Sequence, residues 1–145
     1  MSARGGFTVI ELLVVLAIMG VLLVSFPFAV SSFQESRTID VAVQATAQSL
    51  RQAQAFSQAV ASDTTWGVYV QTGSVTLFQG SSYATRTTAF DETLEFPDSV
   101  DVTGVTEVVF SKLTGEPSST GVMTFTSPTK TETITIYETG ALQYE

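Results

Sequence analysis

The chain has 145 residues, no cysteine and no histidine, and a formal charge of −8 from 14 acids against 6 bases. The missing thiols and imidazoles exclude disulfide frameworks, thiolate metal sites and Ser-His or Cys-His nucleophile pairs. An acidic surface repels phosphate backbones and anionic lipid headgroups, so no nucleic-acid partner is expected.

Met1 to Gly6 is too short to fold and reads as a leader (1–6), with Arg4 its one charge. From Phe7 to Val30 the sequence is apolar apart from Thr8, Glu11, Ser25 and the helix-weakening Gly20 and Pro27. At about 1.5 Å per residue this helix is about 36 Å long, enough to cross a bilayer core of about 30 Å. Residues 7–30 are therefore expected to span a membrane, and the positive flank at Arg4 favours a cytoplasmic N-terminal end with the bulk of the chain outside. Pro27 lacks an N–H and its ring crowds the carbonyl of Leu23, so Gly20 and Pro27 mark an expected helix kink.

Glu11 is the unusual residue of this segment. An ionisable group inside a spanning helix costs about 2.5–3.5 kcal/mol on insertion scales, which makes it a functional candidate. The plainer account places it at headgroup level in the first turn, where the helix dipole favours an anion. A secretory signal peptide is the competing processing pattern, with Leu12 to Val24 as apolar region and a cut at Ala29-Val30-Ser31. It would release a soluble β-domain acting as a binding module, and it leaves Gly6-Phe7 and the cost of Glu11 unexplained.

The run Arg4-Gly5-Gly6-Phe7-Thr8-Val9-Ile10-Glu11, leading into Leu12 to Val24, resembles the cleavage and methylation segment of type IV prepilins and type II secretion pseudopilins. The resemblance implies a prepilin peptidase that cuts after Gly6 and methylates Phe7, and an assembly role for Glu11 opposite the amine of a neighbouring subunit. It also implies a structural subunit rather than an enzyme. The implied partners are other pilin or pseudopilin subunits and the inner membrane, followed by a pilus or pseudopilus, with no cofactor.

Beyond Pro27, Ile39, Val43, Ala47, Leu50, Ala53, Ser57 and Val60 recur at helical spacing, with a Gln-rich opposite face. No Gly or Pro interrupts Phe28 to Ser62, so one helix is expected over 7–62, its outer half laid on a sheet. Asp63-Thr64-Thr65 reads as its exit.

The pattern then changes to a period of two, and 63–145 reads as a β-rich head. Trp66 to Val70 and Val75 to Phe78 form an expected hairpin across Gln71-Thr72-Gly73-Ser74. Ser81 to Ser99 reads as a long loop or weak edge strand. Further strands are expected at Val105 to Phe110 and Val122 to Thr126, with a closing hairpin of Thr133 to Tyr137 and Ala141 to Tyr144. The expectation is an α+β, pilin-like fold of one long N-terminal helix and five to seven antiparallel strands.

This order resembles the GspH-like minor pseudopilins, through Trp66 opening the first strand, Phe110 followed by Gly115, and Ile134-Thr135-Ile136 followed by Gly140. Asp91, Glu92, Glu95, Asp98 and Asp101 are hard oxygen ligands in one neighbourhood. They lack the spacing of a calcium-binding loop and read as a solvated acidic loop, with no metal. From Asp63 onward eleven acids face only Arg86, Lys112 and Lys130.

A peptidase working at Gly6 must approach the backbone closely, where a Cβ would obstruct it. Gly6→Val is therefore expected to leave uncut precursor in the membrane, read as an unshifted band and an intact N-terminus; normal processing would place the cut elsewhere.

Overall fold

A computed structural model describes the backbone of residues 8–145 and the side chains of 8–23 and 37–145. The chain divides into two compact units, Met1–Gln34 and Glu35–Glu145. Helix α1, Val9–Gln58, starts in the first and ends in the second.

In the second unit, α1 is followed by eight strands: β1 (Trp66–Gln71), β2 (Ser74–Gln79), β3 (Glu92–Glu95), β4 (Asp101–Gly104), β5 (Glu107–Phe110), β6 (Gly121–Thr126), β7 (Thr131–Ile136) and β8 (Leu142–Tyr144). They form two antiparallel four-stranded sheets, ordered β3-β2-β1-β5 and β4-β6-β7-β8. The α+β class with an antiparallel head is as the sequence implies. The strand count exceeds the expected five to seven, and the Ser81 to Ser99 segment contains both 3₁₀ turns and β3, which pairs with β2 at the sheet edge.

One core joins the helix to both sheets. Ile39, Ala42, Val43, Ala47, Leu50 and Ala53 point from α1 into it, at the three- and four-residue spacing of a single helix face. Val68, Val70, Val75 and Leu77 meet them from the first sheet, and Met123, Phe125, Ile134 and Ile136 from the second. Alternation turns Thr124, Thr126, Thr131 and Thr133 of the second sheet the other way, cross-paired as Thr124 with Thr133 and Thr126 with Thr131.

The helix stops at Gln58, short of the expected Ser62. Val60, Ser62 and Asp63 all take left-handed backbone conformations, at φ of 51°, 57° and 53°, so the chain reverses through residues that no glycine signals. Ser57 closes the end: its carbonyl accepts from the amides of Val60 (3.1 Å) and Leu113 (3.1 Å), and its Oγ accepts from the Trp66 amide (3.0 Å). The first two satisfy the Ser57 carbonyl, a group that a helix terminus leaves without an intrahelical partner.

The back of the first sheet is covered by the 80–91 segment. Gly67 pairs with Phe78, whose ring lies where a side chain at 67 would be: a Cβ there would stand 2.6 Å from Phe78 Cζ and 2.9 Å from the Val108 carbonyl oxygen. Tyr83 stacks on Tyr69 at 4.0 Å, and the Arg86 guanidinium lies 3.7 Å from the Tyr83 ring centre. Arg86 Nε also donates to Asp91 Oδ2 at 2.7 Å, which braces the segment internally, while Tyr83 on Tyr69 holds it to the sheet.

Because one of the two obstacles at Gly67 is backbone, relief requires strand movement. Gly67→Ala is expected to cost about 1–3 kcal/mol of stability. Urea unfolding of the detergent-solubilised chain, followed through Trp66 as the sole tryptophan, would read it; an unchanged midpoint would contradict the close approach.

Candidate functional site: the N-terminal segment and the helix-docking turns

In the first unit the helix opens on a side-chain cap. Thr8 precedes α1, and the Glu11 amide donates to Thr8 Oγ1 at 3.3 Å while the Leu12 amide donates to the Thr8 carbonyl at 3.2 Å. Thr8-Val9-Ile10-Glu11 is thus the Thr-x-x-Glu pattern of a capping box, with Glu11 in the first turn. The pattern was present in the sequence and gives Thr8 a role that hydropathy alone overlooks.

From Val9, 75% exposed, to Leu23, 74% exposed, every large apolar side chain of this stretch faces outward. Soluble monomers rarely expose contiguous apolar patches above a few hundred Å², roughly, so this surface calls for lipid or protein against it. Gly20 has no atom within 4 Å of where a Cβ would stand. Among the described residues no helix is long and apolar enough to cross a membrane. Gly6 and Phe7 lie outside the described residues, as does the side chain of Pro27.

Residues 1–26 match the family model described as the prokaryotic N-terminal methylation motif. That match supports a type IV pilin-like or pseudopilin subunit, and it points to a structural role rather than catalysis. It implies processing by a prepilin peptidase and assembly with other pilins. No curated protein and no solved structure matches the chain.

In the second unit, the residues on which the head resemblance rests converge on the helix. Gln54 Nε2 donates to the Gly115 carbonyl at 3.1 Å and to the Thr139 carbonyl at 3.4 Å, and Gln58 Nε2 donates to the Thr114 carbonyl at 3.3 Å. A Cβ on Gly140 would stand 2.1 Å from Gln54 Nε2, and one on Gly115 would stand 2.5 Å from Gln58 Nε2. Both glycines have positive φ, at 78° and 69°. Two turns distant in sequence therefore reach the same helix only because they carry no side chain there. Trp66 opens β1 and donates its indole N–H to the Ala61 carbonyl at 3.1 Å, while Phe110, Ile134 and Ile136 are buried in the core.

The acidic residues do not gather. Asp91 is taken by Arg86, Glu92 Oε2 accepts from Gln52 Nε2 at 3.1 Å, and Asp101 belongs to the other sheet. Among the described residues no group of three or more acids is placed to hold a metal ion. The three bases of the head are each spoken for by carboxylates: Arg86 by Asp91, Lys112 by Asp63 at 2.9 Å, and Lys130 by Asp40 at 2.7 Å and by Glu132. A duplex phosphate would have to break one of these pairs to find a cation among residues 63–145.

Lys130 ties the β6–β7 turn to the helix, and its hydrogen bond holds Asp40 below the usual carboxylate range. The bonds to Asp40 and Glu132 in turn raise Lys130 above the usual amine range. Asp40 then contributes stability above about pH 3.9 that is lost as pH falls through its lowered folded value, and Lys130 contributes below about pH 10.4 and loses it as pH rises through its raised one. Lys130→Met is expected to lower the neutral plateau of the stability profile slightly and to flatten both flanks by the same small amount, because the pair is partly exposed. Thermal melts from pH 3 to 11 would test it, and flanks as steep as in the parent chain would refute it.

Proposed function

We propose that the chain is a minor pilin or pseudopilin subunit of a type IV pilus or type II secretion pseudopilus. The match of residues 1–26 to the methylation motif carries this reading. Residues 7–30 anchor the chain in the inner membrane with the head outside; the described apolar face reaches Leu23, and the sequence continues it to Val30. Cleavage falls between Gly6 and Phe7, and methylation falls on Phe7.

Glu11 acts in assembly. Glu11 stands four residues after Phe7 in the sequence, and its carboxylate pairs with the cationic amine of an adjacent copy in a packed array. Such a pair offsets two burial penalties at once. Gly20 and Pro27 lend the helix a point of bending, and the open space around Gly20 supports close approach by a neighbouring helix. For the head we adopt the GspH-like type, supported by the joint docking of Gly115 and Gly140 on α1.

Mass spectrometry of the native protein is expected to find N-methyl-Phe7 at the N-terminus; a start at Ser32 would mark secretory processing instead. Glu11→Val should insert into the membrane at least as well as the parent, since a charge is removed. Its incorporation into fibres should fall by about tenfold or more, as for loss of one close charge pair. Undiminished incorporation would end the pairing role.

A further inference from the structure

An opening in the head lies beside the last turn of α1. A pocket of about 330 Å³ is walled by Phe56, Trp66 and Phe90, with Asp91 and Glu92 at its side. Phe56 and Trp66 pack at 4.8 Å between ring centres, and Phe90 is 50% exposed at the rim. The carboxylates are incompletely satisfied. Arg86 engages only Oδ2 of Asp91, whose buried Oδ1 has no partner among the described residues, and Glu92 meets a neutral amide rather than a cation. Aromatic walls beside Glu92, a carboxylate with no cationic partner among the described residues, suit a guanidinium, which stacks on rings and donates to oxygens in the same plane.

Among the described residues there is one candidate for that group. Arg51 lies on Tyr144, and Arg86, Lys112 and Lys130 are held by carboxylates. Arg37 is exposed on α1 and has no side-chain partner among the described residues. One turn further, on the same face, Val41 is 53% exposed. The two residues make a patch that is apolar and cationic, the complement of a pocket that is aromatic and anionic. Arg37 cannot reach its own pocket: the helix between positions 37 and 56 is about 28 Å long, several times an arginine side chain.

We propose that Arg37 of one copy docks into the Phe56–Trp66–Phe90 pocket of a second copy, stacked on the rings and paired with Glu92 and Asp91. The two patches differ and are offset along the helix, so the contact is head-to-tail. Repetition of such a contact adds further copies in series rather than closing a two-fold dimer. This deepens the fibre-subunit reading and rests on it, by naming a contact between heads.

The absence of native cysteine makes the contact directly testable in the full-length chain in membranes. Val41→Cys and Ala89→Cys, both at exposed positions, place thiols in the patch and at the pocket rim while keeping Arg37, the three rings and both carboxylates. An arginine-length gap exceeds the roughly 7 Å between Cα atoms that a direct disulfide tolerates, so a short bismaleimide is the probe. The double-cysteine chain is expected to give a ladder of multimers, and each single-cysteine chain only monomer. Arg37→Glu in the double-cysteine background should cut the ladder about tenfold, and adding Glu92→Arg should restore it. No ladder, a ladder indifferent to Arg37→Glu, or linkage of Ala89→Cys to a different protein would overturn the proposal. N-methyl-Phe7, measured in the same sample, separates the two readings. Methylation without a ladder removes this contact alone, and a ladder without methylation removes the pilin reading alone.

Discussion

Ser57 is where the head is tied together. One buried serine at the end of α1 receives the Trp66 amide on its hydroxyl and the Leu113 amide on its carbonyl. The first strand and the 111–115 turn are thereby fixed to the same helical turn. Each bond is worth about 1 kcal/mol net, while leaving a buried donor unmade costs about 1–3 kcal/mol. The constraint is thus more one of specification than of strength: other placements of β1 against the helix strand a buried amide. Gln54 and Gln58, one turn before and just after, extend the same logic with amide side chains that reach two glycine turns. The small residues Ala42, Ala47 and Ala53 let the helix lie close enough to both sheets for those short bonds to form.

Much of this was legible in the sequence. The β1–β2 hairpin announced itself through alternation on both sides of Thr72-Gly73, and Gly73 does take a positive φ of 86° in the turn. The buried helix face followed from spacing, although Ala42, Thr46 and Ser49 widened it beyond the stripe expected from the larger residues. What escaped had physical reasons. Strand β4, Asp101–Gly104, has a single apolar side chain and pairs with β6 a long way down the chain, so no local pattern marks it. The helix end escaped because Val60 adopts a left-handed conformation that a β-branched residue resists; the packing around Ser57 imposes it.

The candidate sites divide in the same way. The residues proposed for processing and assembly are read from a linear motif, and Thr8 as a cap was available from the Thr-x-x-Glu spacing. The aromatic pocket was not: Phe56, Trp66 and Phe90 are separated by 10 and 24 residues and meet only once the 80–91 segment folds over the sheet. The acidic stretch looked like one cluster in sequence, yet folding gives Asp91 to Arg86, Glu92 to the helix side and Asp101 to a different sheet. Proximity along a chain is a poor guide to shared chemistry where strands intervene.

Strand β3 has a further consequence. It is an outer strand whose four side chains, Glu92 to Glu95, are all exposed, with a carboxylate at each end. An unpaired backbone edge is a template for adding strands from other chains. Two such edges in antiparallel register would oppose Glu92 to Glu95 at both ends, and like charges directly opposite are destabilising. Where identical heads are crowded side by side, that repulsion keeps their sheets from fusing into a continuous cross-β layer. The edge acts as a spacer, and each head remains an individual body.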